Sequence, residues 1–101
     1  MKSRLIHPEA VNEFREAAIF YEERQRGLGE RFKRNVVEAV WRVQAEVSSG
    51  SPWIRGTSLG RVSDFPYGIV FQETNEVIQI IAIYHFSRHE DYWADRLDDL
   101  E

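Results

Sequence analysis

Val77–Tyr84 reads Val-Ile-Gln-Ile-Ile-Ala-Ile-Tyr, seven apolar residues around one glutamine. Such a run is too short to cross a bilayer, which takes about 20 residues in a helix. Its β-branched content favours a strand. Apolar residues on both faces place that strand at the centre of a sheet, covered on each side. The rest of the chain must therefore supply sheet neighbours and covering layers.

The neighbours lie upstream. Tyr67, Ile69 and Phe71 alternate with Gly68, Val70 and Gln72, which is strand periodicity. The polar stretch Glu73-Thr74-Asn75-Glu76 fits a hairpin turn. Thr57–Val62 reads as a further strand, and Phe65-Pro66 limits pairing after it, since proline donates nothing to a ladder. Residues 3–7 read as a short strand at the start.

The covering layer is helical. Pro8 sits where a helix begins, at the position where its missing N–H is not needed. Val11, Phe14, Ala18 and Tyr21 follow in steps of three and four, predicting a helix that ends near Gln25 or Arg26. Gly27 suits the left-handed conformation that closes a helix. A second stripe follows at Leu28, Phe32, Val36, Val40, Val43 and Val47, with Ala39 beside it and Val37 and Trp41 widening it. Glu30–Arg34 and Glu38–Arg42 have the spacing of helix ion pairs. Ser48-Ser49-Gly50-Ser51-Pro52 ends this helix.

The predicted architecture is α+β: a strand, a helical hairpin, then a three-stranded antiparallel meander forming one small sheet, with a short C-terminal helix from Asp91. Phe14, Tyr21, Phe32 and Val40 are expected to meet Ile69, Phe71, Ile78 and Ile80. The 101 residues suffice for a single domain.

With no cysteine, a disulfide framework and thiolate zinc ligation are excluded. The three histidines lack metal-ligand spacing, so neither a metal nor another cofactor is implied. The first eight residues lack the apolar segment of a secretion signal, which leads to an expectation of a cytoplasmic protein.

The net charge of −4 argues against nucleic-acid binding at first sight. Its distribution alters that reading. Glu90, Asp91, Asp95, Asp98, Asp99 and Glu101 stand against Arg96 alone, so residues 90–101 carry −5 and residues 1–89 carry +1. Eleven of the thirteen basic residues are arginines, whose planar fork suits phosphate or carboxylate.

Several local strings, taken in order, resemble the RelE/ParE superfamily of bacterial toxins. These are His7-Pro8-Glu9-Ala10 opening the first helix and Tyr21-Glu22-Glu23 followed by Gly27-Leu28-Gly29 and Phe32. They continue with Phe65-Pro66-Tyr67 before a strand, His85 and Arg88 after the last one, then Tyr92-Trp93 and Arg96. The resemblance covers nearly the whole chain and favours the ParE-like plasmid stabilisation branch. It implies the toxic half of a type II toxin–antitoxin module, silenced by a cognate antitoxin. RelE-like members cut messenger RNA on the ribosome; ParE-like members poison DNA gyrase.

RNA cleavage through a 2′-hydroxyl needs a base, positive charge at the phosphate and an acid for the leaving oxygen. The candidate residues here are Arg61, His85, Arg88 and Tyr92. Against them, residues 51–101 contain no lysine and hold nine acidic residues to four arginines, which is poor for gripping RNA. The alternative structural roles are Arg88 pairing with the acidic tail and Tyr92-Trp93 packing over the core edge. His7 reads as a helix-start residue and His89 as exposed.

Three functions follow. The first is a ParE-like toxin acting by binding, with Arg24, Arg31, Arg34 and Trp93 as candidate partner contacts. The second is a ribosome-dependent endoribonuclease using the four candidates above. The third is a non-toxic interaction module of the same fold. All three expect an antitoxin, whose helix would lie along the hairpin or whose strand would extend a sheet edge.

Overall fold

The computed structural model describes residues 2–100. Strand β1 (Ser3–Ile6) leads into helices α1 (Pro8–Arg24) and α2 (Leu28–Ala45). Strands β2 (Ser51–Pro52), β3 (Ser58–Arg61), β4 (Tyr67–Glu73) and β5 (Val77–His85) follow, and a 3-10 helix spans Ala94–Leu100. The fold is α+β, as the periodicities predict.

The sheet differs from the expected meander. β3, β4 and β5 do form one, but the sheet has five strands in the order β1-β5-β4-β3-β2 and is mixed. β1 runs parallel to β5, from Ser3 opposite Val77 to Ile6 opposite Ile80. β2 is two residues long and pairs with β3. Two residues are too few to leave a periodic pattern, which is why the sequence gives no sign of it.

β5 is an interior strand between β1 and β4, and its apolar run serves two layers. Phe71 pairs with Ile80 while Val70 pairs with Ala82, so Ile81 is an extra residue in a bulge. The bulge resets the alternation. Ile78, Ile80 and Ile83 face the helices, while Ile81, Ala82 and Tyr84 face the opposite layer. On the helical side Phe32, Val36, Val40, Ile69, Phe71, Ile78 and Ile80 form one buried cluster, with Phe14 and Tyr21 packed against it. On the other side Trp93, with no exposed surface, sits on Val70, Ile81, Ala82 and Tyr84. The acidic tail is thus folded over the second face of the sheet.

The helix joint explains its own sequence. Gly27 has φ +88°, and Glu22 accepts hydrogen bonds from Gly27 N–H at 2.9 Å and Gly29 N–H at 3.0 Å. A carboxylate at this helix start meets both open amides and the favourable end of the dipole. The Gly27 N–H bond, foremost among the Glu22 contacts, lowers its pKa below the usual carboxylate range. A Cβ on Gly29 would lie 2.4 Å from the Ala18 carbonyl oxygen, so only glycine lets the helices close here.

Several local expectations are corrected. α1 ends at Arg24. Val37 and Trp41 stay outside the core, at 47% and 53% exposure. Glu30 pairs with Lys33 at 2.7 Å in place of Arg34, and Arg42 donates to the Arg61 carbonyl in place of pairing with Glu38. The short C-terminal helix is of the 3-10 type and starts at Ala94, three residues after Asp91. No helix among the described residues is long and apolar enough to cross a membrane.

Candidate functional site

Two features of the surface bear on function: a polar cluster built on Glu13 and an apolar groove beside it.

Glu13 lies on α1 and points at the end of β5, with 13% of its side chain exposed. Arg96 reaches it with both terminal nitrogens at 2.9 Å, a two-pronged contact that suits a carboxylate. The Tyr92 hydroxyl donates to it at 2.6 Å and Arg88 Nη1 at 3.2 Å. The Ile83 backbone N–H donates to it at 3.1 Å. Arg88 also stacks over the Tyr92 ring, 3.5 Å from its centroid. Burial and then the Glu13 carboxylate push the Tyr92 pKa up, so the hydroxyl stays protonated as a donor.

This arrangement determines what the sequence candidates can do. Arg88 and Tyr92 come together, but on Glu13; the acid that holds Arg88 is on α1 and not in the tail. His85 lines a cleft with Arg88, Tyr67, Phe20 and Glu16. Its Nδ1 accepts the Ser87 N–H at 3.0 Å and lies 2.7 Å from Ser87 Oγ. The Ser87 N–H thus occupies the Nδ1 lone pair of His85. Burial pushes the Tyr67 hydroxyl up to about 12. Arg61 is not part of this group. It stacks near Phe86 at 5.2 Å and lines a separate open cleft with Arg42 and Pro66. Arg61 and His85 thus line different clefts, and Arg88 and Tyr92 are engaged by a carboxylate.

His7 is the N-cap of α1, as its position suggests. Its Nδ1 accepts the Glu9 N–H at 3.0 Å, and its Nε2 lies 2.9 Å from Asp99. His89 is exposed and pairs with Asp91 at 2.6 Å. Among the described residues no cluster of His, Cys, Asp or Glu is arranged to hold a metal.

The groove lies between the helical hairpin and the β1 side of the sheet. It holds about 270 Å³ and is walled by Ile6, Val11, Phe14, Val37, Val40 and Trp41. Arg4 and Arg15 stand at its rim. Arg4 donates to Gln44 at 2.9 Å, whereas Arg15 is exposed and pairs with no acidic side chain among the described residues. The expected partner contacts lie elsewhere. Arg31 pairs with Asp64 at 2.8 Å, Arg24 stacks on Phe20 at 4.4 Å, and Arg34 is exposed away from the groove lining. Trp93 is wholly buried and offers a partner no surface. The signal missed was Val37 and Trp41, two large apolar residues flanking a stripe that was already wide enough to bury α2.

Comparison with known proteins yields no match: no family model, no curated protein and no solved structure aligns with the chain.

Proposed function

We propose that this chain is the toxin of a type II toxin–antitoxin module, ParE-like, and that it acts by binding. DNA gyrase is the target that the resemblance implies. The observation that carries the reading is the groove: an open apolar channel with unshielded Trp41 and Val37 and two arginines at its mouth. Large apolar side chains left exposed beside a preformed channel fit an amphipathic helix laid along it. The rim arginines fit acidic residues on that helix. An antitoxin segment of this chemistry is the occupant the reading requires.

A RelE-like ribonuclease has less support. Arg88 and Tyr92 are held by Glu13, the Nδ1 of His85 accepts from Ser87, and Arg61 lines another cleft. The non-toxic module remains the alternative that a growth assay separates, because induced expression without antitoxin then leaves growth normal.

The test of the groove uses the product of the neighbouring reading frame as binding partner. Burying a Trp-sized side chain contributes about 1.5–3 kcal/mol. Trp41→Ser is therefore expected to weaken the complex by about tenfold to a hundredfold. Arg24→Ala, outside the groove, is expected to leave affinity unchanged. Equal affinity of the Trp41→Ser variant and the wild type would reject the groove as the docking surface.

A further inference from the structure

Three stretches of open sheet edge are guarded in different ways. β2 is two residues long and ends on Pro52, which has no N–H to offer. β1 spans only Ser3–Ile6 and carries Arg4. The third stretch is the part of β5 that runs on past β1. Pairing with β1 ends at Ile80, whose carbonyl accepts the His7 N–H at 2.9 Å. Pro8 then turns the chain into α1, and Ile81–His85 continue with β4 on one side and no strand on the other among the described residues. Ile81, Ala82, Ile83 and Tyr84 are uncharged and buried. Such an edge is a template for pairing with another chain.

Two side chains occupy it. Arg96 Nη1 donates to the Ile81 carbonyl at 3.1 Å, and the Ile83 N–H donates to Glu13 Oε1 at 3.1 Å. The same Nη1 and Oε1 are joined at 2.9 Å. A donor and an acceptor, linked to each other, thus meet a carbonyl and an N–H two residues apart along one strand.

We infer that the Glu13–Arg96 pair is a surrogate strand that keeps the end of β5 from pairing with the same edge of a second copy. The edge is self-complementary: antiparallel pairing of two such stretches brings Ile81, Ala82, Ile83 and Tyr84, all uncharged, against their own copies about a two-fold axis. Arg88 provides an internal control. It also binds Glu13, but no bond from its side chain goes to β5.

The test is the solution mass over a concentration series, with far-UV circular dichroism to confirm folding. Arg96→Met is expected to move from the wild-type mass to twice that mass as concentration rises. Arg88→Met and Glu13→Gln are expected to keep the wild-type mass, the latter because its amide oxygen still accepts from Ile83. A folded Arg96→Met variant of unchanged mass overturns the inference, as does Arg88→Met associating equally. Hydrogen exchange on the wild-type protein gives a reading that needs no variant. The Ile83 amide is expected to exchange as slowly as amides inside the sheet; exchange at the rate of exposed turns would refute the surrogate strand.

Discussion

Replacing Glu13 by alanine tests the polar cluster most severely. The change removes one carboxylate and leaves Arg96, Arg88, the Tyr92 hydroxyl and the Ile83 N–H without their acceptor. Deleting one partner of a buried charge pair costs about 3–5 kcal/mol. Both Glu13 and Arg96 keep 13% side-chain exposure, so water relieves part of the loss. The expected destabilisation is at the lower end, about 3 kcal/mol. With a slope of about 2 kcal/mol per molar urea for a small domain, the unfolding midpoint falls by about 1.5 M. Glu13→Gln keeps an acceptor but not the charge, and is expected to fall between the two. Urea denaturation followed by circular dichroism measures all three proteins. A Glu13→Ala midpoint within about 0.5 M of wild type, equivalent to about 1 kcal/mol, would refute the view of Glu13 as the centre of the cluster.

Trp93 and Trp41, on opposite sides of the sheet, separate core from surface. Trp93→Ala is expected to cost about 3–5 kcal/mol in denaturant unfolding, and Trp41→Ala less than about 0.5 kcal/mol. Gly27→Ala is expected to lower stability by about 1–2 kcal/mol from backbone strain alone, since its Cβ would meet nothing within 4 Å. An unchanged unfolding midpoint would contradict the left-handed joint. Stability also depends on pH. The folded pKa values of Glu22, Asp64 and Asp91 are lowered, chiefly by hydrogen bonds from Gly27, Arg31 and Arg55 respectively. Their contribution is complete above the unfolded pKa values, near about 4, and is lost as pH falls through the lower folded values. Thermal unfolding midpoints are expected to drop steadily below about pH 4; a flat profile there would contradict the assignment.

The helices and the central strands follow from patterns that single residues enforce. A step of three or four can be read from Phe14, Ala18 and Tyr21, and an alternation from Tyr67, Ile69 and Phe71. The Val77–Tyr84 run gives a two-sided strand because burial on both faces leaves no polar alternation. Its bulge at Ile81 leaves no such mark, since a uniformly apolar run hides a change of phase. β2 and the parallel pairing of β1 arise from contacts between distant segments. Glu13 was invisible as a centre for the same reason: its partners Arg88, Tyr92 and Arg96 lie more than seventy residues away. Nothing in α1 distinguishes it from Glu9 or Glu16. Of the two readings of Trp93, partner contact or packing over the core edge, its complete burial on the second face of the sheet agrees with packing.

Supercoiling by purified DNA gyrase in the presence of this protein tests the central claim most directly. The account predicts inhibition at micromolar protein, relieved when the neighbouring gene product is added. Full supercoiling activity at that concentration would contradict a ParE-like action by binding.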